Sequence, residues 1–263
     1  MMKLTYIFHD CFVLETDNAI IVFDYWKDPV SRNYQNPVFI QKADKCKNLY
    51  VIVSHHHKDH YVKDIFNWGE KFSKVKFIIS KDIHKYSRYL FSSDTVYRGP
   101  KPSEENVKVL KPGETYQDNI VKIEAFESTD IGNSYVVEIE GKRFFHAGDL
   151  NAWIWKDEST KEEVEKAESD FKKILDKIKI KYPGFFMAMF PVDPRLGTDY
   201  FEGAKIFNDY FKIEYFLPMH FTLSENAEER IEYILKATDF SKYIVDSQTK
   251  CIGLTSPYSC FRF

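Results

Sequence analysis

The charge balance of this chain argues against a nucleic-acid or anionic-membrane partner, because its 263 residues carry a formal net charge of only −3. A hydrophobic fraction of 44%, of which much is aromatic, is sufficient for a sizeable buried core. The N-terminus lacks the apolar run of a signal peptide, and no apolar stretch reaches the ~20 residues that a membrane helix needs. We therefore expect a cytoplasmic protein without a membrane span.

Three short strands are predicted at the start of the chain, at residues 2–8, 11–16 and 19–23, where apolar residues predominate. Asp24 directly follows the third strand, and it is either a turn residue or a carboxylate that supports a nearby imidazole. His9 follows the first strand. It is either a structural histidine or a residue near the imidazole that Asp24 would support. Residues 25–47 are polar and irregular, which predicts a loop.

A cluster of potential metal ligands follows the next strand. Residues 48–53 form an apolar, β-branched run that predicts a buried strand, and Ser54-His55-His56-His57-Lys58-Asp59-His60 comes directly after it. The segment contains four of the 8 histidines in the chain. Imidazole nitrogen and carboxylate oxygen together suit zinc, with iron, manganese or nickel as alternatives. The sequence therefore predicts a metal site at the end of this strand.

The central part of the chain predicts another strand and helix and then a group of antiparallel strands. A strand at 74–79 is followed by a helix from Ser80 to Leu90. The antiparallel strands are expected at 107–110, 120–126, 133–139 and 143–146. The last of them runs into His146-Ala147-Gly148-Asp149, a second place where a strand ends at potential ligands.

The final part alternates helices and strands. The clearest helix spans 158–181, where Ser159 and Glu162 are expected to form a capping box; Thr222 and Glu225 are expected to do so for a later helix. Apolar strands at 184–190 and 213–217 lead to Asp193 with Arg195, and to His220. Arg195 is either a ligand for a substrate carboxylate or phosphate, or the partner of Asp193 in an internal salt bridge. Because no linker or repeat divides the chain, we predict one domain over residues 1–263.

Three of these motifs, in this order, resemble those of the metallo-β-lactamase superfamily. They are His55-x-His57-x-Asp59-His60 after an apolar strand, Gly148-Asp149 after a later strand, and Pro218-Met219-His220 near the end. The resemblance implies an α/β fold: a four-layer αββα sandwich of two mixed sheets flanked by helices. It also implies a site for one or two divalent metal ions, with zinc favoured and manganese or iron possible.

The resemblance further implies a role for each motif residue. His55 and His57 would bind the first metal ion, whereas Asp59, His60 and His220 would bind the second. Asp149 would bridge the two ions, and Asp24 would orient a metal-binding imidazole. Asp59 would also act in catalysis, by orienting a metal-activated water molecule or accepting its proton.

One departure from the family pattern concerns the first metal ion. Most members of the superfamily have a further histidine between the first motif and Gly148-Asp149, but residues 126–134 contain none. We therefore expect a first site with only two imidazoles and a carboxylate. Asp130, Ser128 or Thr129 could compensate, or His146 could approach from the end of its strand.

The function that these residues indicate is hydrolysis of an ester, amide, lactone or phosphodiester bond in a small or medium-sized substrate. One alternative is a mononuclear-iron redox enzyme similar to the persulfide dioxygenases, because an incomplete first site suits single-metal chemistry. Another is a non-catalytic binding protein that retains the fold with a degraded site. The sequence specifies neither the oligomeric state nor the substrate.

Overall fold

A computed structural model describes residues 1–31, 35–92, 97–99, 101–222, 226–244 and 248–263. The chain forms two compact units. The first unit contains residues 1–111 together with 256–263, and the second contains residues 112–255. Each unit is built around one seven-stranded sheet. The prediction that the whole chain forms one domain stays a prediction.

The strands of the described residues are short and, in the order of the chain, are β1 Lys3–Phe8, β2 Cys11–Glu15, β3 Ala19–Phe23, β4 Asn48–Val53, β5 Val75–Ser80, β6 Val107–Leu110, β7 Thr115–Gln117, β8 Val121–Phe126, β9 Ser134–Ile139, β10 Lys142–His146, β11 Gly184–Pro191, β12 Lys212–Met219, β13 Lys250–Cys251 and β14 Cys260–Arg262.

The α-helices of the same residues are α1 Val38–Lys42, α2 Lys81–Tyr86, α3 Arg88–Phe91, α4 Lys161–Lys181, α5 Glu202–Tyr210 and α6 Ala227–Asp239. Segments of 3₁₀-helix occur at Lys63–Glu70, Glu104–Asn106, Pro194–Asp199 and Phe240–Tyr243. None of these helices is both long enough and apolar enough to cross a membrane.

The sheet of the first unit has the order β14-β1-β2-β3-β4-β5-β6. Its first strands are antiparallel, whereas β3, β4, β5 and β6 are parallel to one another. β3 and β4 are buried along almost their full length, as expected for parallel strands covered on both faces. One face packs against the 3₁₀ segment Lys63–Glu70, in which Ile65, Phe66 and Trp68 belong to the hydrophobic core.

The sheet of the second unit has the order β13-β12-β11-β10-β9-β8-β7. It too begins with antiparallel strands, β7 to β10, and continues with parallel strands, β10 to β13. Helix α5 packs on β11 and β12 through Phe207, whose ring stacks against Phe190 at 4.6 Å and Phe145 at 4.9 Å. The prediction of two mixed sheets flanked by helices is thus confirmed.

Several predicted details of the elements are wrong. Residues 107–110 pair in parallel with β5 in the first sheet and do not start the antiparallel group, while the three-residue β7 is absent from the prediction. The capping box of α4 lies one residue later than expected, at Thr160 and Glu163. Asn226 caps α6 through its side chain, while the predicted partner Glu225 lies outside the described residues. Ser80 does precede α2, but its side chain makes no capping hydrogen bond.

Candidate metal centre

The candidate ligands of the first unit lie where its strands end. Because β3, β4 and β5 are parallel, their carboxyl ends share one edge of the sheet. β1 runs in the same direction as β3, since both are antiparallel to β2. His9, Asp24 and the segment from His55 to His60 therefore meet at this edge. We call these residues, together with Asp10, the first donor set.

Asp24 is the carboxylate that organises the first donor set. Its Oδ1 accepts a hydrogen bond from the backbone N–H of Ser54 at 2.7 Å, and its Oδ2 lies 2.6 Å from Ser54 Oγ. Oδ2 also lies 2.9 Å from Nδ1 of the buried His60. A carboxylate at Nδ1 keeps the imidazole proton on that nitrogen, so that Nε2 carries the lone pair that a metal ion requires.

Ser54 connects Asp24 to His55 through two hydrogen bonds. Since the Ser54 hydroxyl donates to Asp24, its oxygen accepts from Nδ1 of His55 at 2.9 Å. Nε2 of His55 then lies 2.9 Å from Nδ1 of His57. Two ligand nitrogens on one tetrahedral zinc ion would lie about 3.3 Å apart. The donor chemistry and spacing of this pair therefore fit a shared metal ion.

His56, which lies between two candidate ligands in the sequence, makes different contacts. Its backbone N–H and its Nδ1 both contact Oδ2 of Asp82, at 2.8 and 3.0 Å. Asp82 lies in the first turn of α2, whose Tyr86 ring is 4.7 Å from the His56 ring. His56 thus attaches this histidine-rich segment to α2.

His9 and Asp10 also belong to the first donor set. Nε2 of His9 lies 3.7 Å from a carboxylate oxygen of Asp59, and the His9 and His60 rings meet edge to face at 5.7 Å. Asp10, which is completely buried, has Oδ2 at 3.5 Å from Nδ1 of His60. The structure therefore places His9 among the candidate ligands and adds a second carboxylate beside His60.

The candidate residues of the second unit also lie at strand ends. Because β10, β11 and β12 are parallel, Asp149, Asp193 and His220 follow them at one edge. β8 runs in the same direction as β10, since both are antiparallel to β9. The loop after β8, which contains Asp130, therefore reaches the same edge. We call these four residues the second donor set.

His220 has a carboxylate on each ring nitrogen. Oδ2 of Asp193 lies 3.0 Å from Nδ1, and Oδ1 of Asp149 lies 3.1 Å from Nε2. If Asp193 keeps the proton on Nδ1, two electron-pair donors face each other across the Nε2–Asp149 contact. Only a proton or a metal ion between them makes that contact favourable, so the chemistry of this pair fits a cation.

The guanidinium group of Arg195 forms a salt bridge with Asp193 and neutralises the charge of its carboxylate. Its Nε lies 3.0 Å from both carboxylate oxygens, and its Nη2 lies 2.5 Å from Oδ2. Burial by itself would raise the pKa of Asp193, but the hydrogen bonds and charges of His220 and Arg195 hold this pKa below its usual value. The predicted salt bridge between Asp193 and Arg195 is confirmed.

The loop that lacks the usual histidine is attached to the Gly148-Asp149 turn. The hydroxyl of Thr129 donates to the backbone oxygen of Asn151 at 2.6 Å and accepts from its N–H at 3.1 Å. This clamp brings carboxylate oxygens of Asp130 and Asp149 within 4.8 Å of each other. Ser128 is engaged locally, because its hydroxyl accepts from the N–H of Asp130. Of the three residues of this loop that were suggested as substitutes, Asp130 is the one placed beside Asp149.

His146 supports the same turn. It is buried, and its Nδ1 accepts a hydrogen bond from the N–H of Gly148 at 3.2 Å. Trp153 contacts the same turn: its indole N–H donates to the backbone carbonyl oxygen of Asp149, and its ring contacts the His220 ring edge to face. Both side chains therefore shape the surroundings of Asp149.

Four residues of these regions have left-handed backbone conformations, which non-glycine residues rarely adopt. They are His9, Asp24, Trp153 and His220, with φ of 56°, 39°, 49° and 65°. Such conformations cost roughly 1–3 kcal/mol each and concentrate at functional sites. At His9, Asp24 and His220 the chain turns sharply directly after β1, β3 and β12, at the edge of the sheet.

Sequence reasoning identified most members of both donor sets but missed two roles. Ser54 connects Asp24 to His55, and Asp193 supports His220. The position of each after a predicted strand was the available signal. A strand end alone does not distinguish a supporting carboxylate from an ordinary turn residue, which explains the omission.

Comparison with known proteins is consistent with this geometry. A family model for the β-lactamase superfamily domain matches residues 3–168. The chain belongs to the β-lactamase superfamily. The expected membership of its metallo-β-lactamase group is confirmed, and a solved metallo hydrolase shares the fold over the whole chain.

A curated superfamily relative from Korarchaeum cryptofilum (strain OPF8), named a UPF0173 metal-dependent hydrolase, is 27% identical over 159 residues. The match covers 58% of this chain and 62% of that relative. Igni18, described as a metallo hydrolase from Ignicoccus hospitalis, has 18% identity and a TM-score of 0.61, over 100% of this chain and 99% of its own. CmlA, a diiron β-hydroxylase from Streptomyces venezuelae, has 10% identity and a TM-score of 0.61, over 100% of this chain and 54% of its own.

Proposed function

We propose that this chain is a metal-dependent hydrolase that cleaves an ester, amide, lactone or phosphodiester bond in a small or medium-sized substrate. The observation that carries the proposal is shared by both donor sets: a buried carboxylate lies on Nδ1 of a buried histidine. The pairs are Asp24 with His60 at 2.9 Å and Asp193 with His220 at 3.0 Å. Metal-binding histidines are typically oriented in this way. The name of the Korarchaeum relative supports the same class of reaction.

The proposed ligands come from both donor sets, as the superfamily pattern assigns them. On that pattern, His55 and His57 would hold one ion, Asp59, His60 and His220 would hold the other, and Asp149 would be a further ligand. Asp130 would replace the missing histidine as a ligand of the first ion, a proposal that its position within 4.8 Å of Asp149 supports. The metal is proposed to be zinc, although the additional carboxylate makes manganese or iron a better ligand match at the first position.

When bound, the metal would lower the pKa of a water molecule and polarise the bond to be cleaved. The chain itself contributes orientation and proton transfer. Asp24 directs His60 and, through Ser54, His55, while Asp193 and Arg195 direct His220. Asp59 is the proposed catalytic carboxylate, and Nε2 of His9 lies 3.7 Å from one of its oxygens. Arg195 remains a proposed substrate contact, because its side chain is 39% exposed despite the bond to Asp193.

The experiment that tests the proposal is elemental analysis of the protein purified without added metal, followed by a panel of ester, lactone, amide and phosphodiester substrates. Zinc or manganese together with turnover of one bond class supports the proposal. Iron with oxygen uptake on thiol substrates, and no hydrolysis, would replace it with the redox alternative. A protein that binds no metal and cleaves none of the substrates would instead be a non-catalytic member of the fold.

A further inference from the structure

A cavity of the second unit lies at the end of β11 and β12 opposite the second donor set. Its volume is about 490 Å³, within the range of roughly 300–1,000 Å³ that is typical of small-molecule sites. Gly184 and Lys212, the first residues of the two strands, pair with each other and line the cavity. Asp193 and His220 follow the opposite ends of these strands, each of which is eight residues long. At about 3.3 Å per residue, the cavity is therefore roughly 20 Å from these donors. We call it the strand-start cavity.

The strand-start cavity combines apolar walls with charged side chains. The buried side chains of Phe185 and Ile213 and the half-buried ring of Phe186 form apolar parts of its lining. The charged residues of the lining are Arg143, Lys212 and Glu214. Two cations and one carboxylate leave one positive charge in excess. A ligand with an apolar body and a single negative charge is complementary to this lining.

The two cations have hydrogen-bond donors for such a ligand. Arg143 contacts Glu138 through Nε at 3.1 Å, and among the described residues this is the one hydrogen bond of its guanidinium group. In the same described part of the chain, the exposed ammonium group of Lys212 has no hydrogen-bond or ion-pair partner. A guanidinium group beside an ammonium group suits a carboxylate, because charge-assisted hydrogen bonds are stronger than neutral ones.

A second cavity of the same unit, of about 450 Å³ between α4 and α5, provides a contrast. Its cations are paired with carboxylates of the same lining: Lys156 with Glu202, Lys172 with Glu168 and Lys205 with Asp209. A ligand anion in that cavity would compete with these carboxylates for each cation. At Lys212 no described carboxylate forms such a pair, so the strand-start cavity is the better site for an anion.

We propose that the strand-start cavity binds a small monocarboxylate with an apolar body. The carboxylate accepts hydrogen bonds from Arg143 and Lys212, and the body packs against Phe186 and Ile213. Glu214 disfavours ligands with a second negative charge, since like charges repel at short range. The inference does not depend on the proposed hydrolase function, because the cavity contains none of the proposed metal ligands.

Binding is tested with benzoate, which has an apolar ring and one carboxylate. The purified protein is titrated with benzoate at constant ionic strength, and saturation-transfer NMR gives the Kd. We expect saturable binding, with a Kd at least about tenfold higher in Lys212→Met and in Arg143→Met, because each loses a charge-assisted hydrogen bond. Lys212→Arg should restore binding, and Lys161→Met, at an exposed lysine of α4, should not change it.

The charge balance of the cavity is tested from the opposite side with Glu214→Gln. This variant should bind benzoate more tightly than the wild type, because a like charge is removed from the lining. Phenyl phosphate, which carries more negative charge at pH 7, should gain more from Glu214→Gln than benzoate does. Benzyl alcohol, a neutral analogue of benzoate, should bind the wild type at least about tenfold more weakly than benzoate does.

The outcomes that would overturn the site are specific. They are the absence of saturable benzoate binding, an equal Kd in the wild type and Lys212→Met, and equal binding of benzoate and benzyl alcohol. Binding that a metal chelator abolishes and Lys212→Met leaves unchanged would place benzoate on a metal ion, and would also overturn the site. Restored binding in Lys212→Arg excludes misfolding as the cause of weak binding in Lys212→Met. The hydrolase proposal is judged separately, by metal content and turnover.

Discussion

In both donor sets a carboxylate orients a histidine ring, but the two sets are built from very different stretches of sequence. In the first, one segment of six residues, His55–His60, supplies four candidate ligands directly after a single strand. In the second, Asp130, Asp149 and His220 follow three different strands of one sheet. A contiguous motif keeps its ligands together by its own backbone, whereas a dispersed set depends on the register of every strand that contributes to it.

The two sets also differ in how many ligands depend on one carboxylate. Asp24 supports His60 directly and His55 through Ser54. Asp193 supports only His220, and a guanidinium group compensates its charge. Two candidate ligands of the first set therefore depend on one carboxylate. In the second set, the residues come from several loops and only one ligand depends on the supporting carboxylate. This difference can be tested by substitution.

The largest effect is expected when one ligand is removed from each set, in His60→Ala and in His220→Ala. Each should reduce kcat/KM by more than the roughly 100-fold that is typical for loss of a supporting residue. Each substitution should also lower the metal content measured by elemental analysis, because each removes a proposed ligand. His84→Ala is the control, because that ring stacks on Phe91 and is not a proposed ligand. Retention of full metal content in His220→Ala would contradict the proposed role of His220 as a ligand.

The next effect compares the supporting carboxylates, in Asp24→Asn and Asp193→Asn. Loss of such a residue costs about 10–100-fold in metal affinity, and we expect Asp24→Asn to lie at the upper end because two histidines depend on it. Asp24→Asn should also lower the free energy of unfolding by about 2–4 kcal/mol, because it disturbs a buried carboxylate with three polar contacts.

Competition with a zinc chelator measures the affinities of these two variants, and urea denaturation measures their stability. Asp170→Asn, at a partly exposed position of α4, serves as the control. A larger loss of affinity in Asp193→Asn than in Asp24→Asn would contradict the expectation that metal binding depends more strongly on Asp24.

A third, smaller effect concerns Asp130, the proposed replacement for the missing histidine. Asp130→Ala should weaken the first metal position by about tenfold, whereas Asp130→His should strengthen zinc binding there, since imidazole is a softer ligand than carboxylate. Titration with zinc and with manganese measures both. Glu165→Ala removes an exposed carboxylate of the same unit and should change neither affinity. Identical metal binding in Asp130→Ala and the wild type would show that another residue fills the position.

The difference between the two sets also explains how much could be predicted from the sequence. The apolar runs of β3, β4, β11 and β12 and the motif His55–His60 are local features, and all were identified. Val107–Leu110 was placed in the wrong sheet, because its short, half-exposed pattern does not specify a partner. The supporting role of Asp193 depends on the pairing of β11 with β12, which is a tertiary contact. Local signals therefore located the ligands, while the residues that orient them required the fold.

The dispersed construction of the second set makes it sensitive to packing outside the site. An added Cβ on Gly203 of α5 would approach Oδ1 of Asn151 to 1.8 Å, and Asn151 forms the clamp with Thr129. Gly203→Ala should therefore destabilise the protein by about 1–3 kcal/mol despite its higher helix propensity. Gly69→Ala in the first unit meets only ordinary contacts of 3.7 Å or more and is the matched control. Thermal melting measures both, and a Gly203→Ala variant as stable as Gly69→Ala would show that Asn151 moves at no cost.

The smallest effect concerns the hydrogen bond between Tyr182 and the buried carboxylate of Glu124, which lies in the second unit outside the donor sets. The hydroxyl of Tyr182 donates to Glu124 at 2.8 Å, and burial together with this bond raises the pKa of Tyr182 to about 12. Between pH 10 and 12 the unfolded chain loses this proton while the folded chain keeps it, so stability should fall as the pH rises through that range. Tyr182→Phe should cost about 1 kcal/mol at pH 7 and make the alkaline decrease shallower than in the wild type. Urea denaturation at pH 7, 10 and 11 measures this, and parallel pH profiles for the two proteins would show that Tyr182 does not contribute to the alkaline loss.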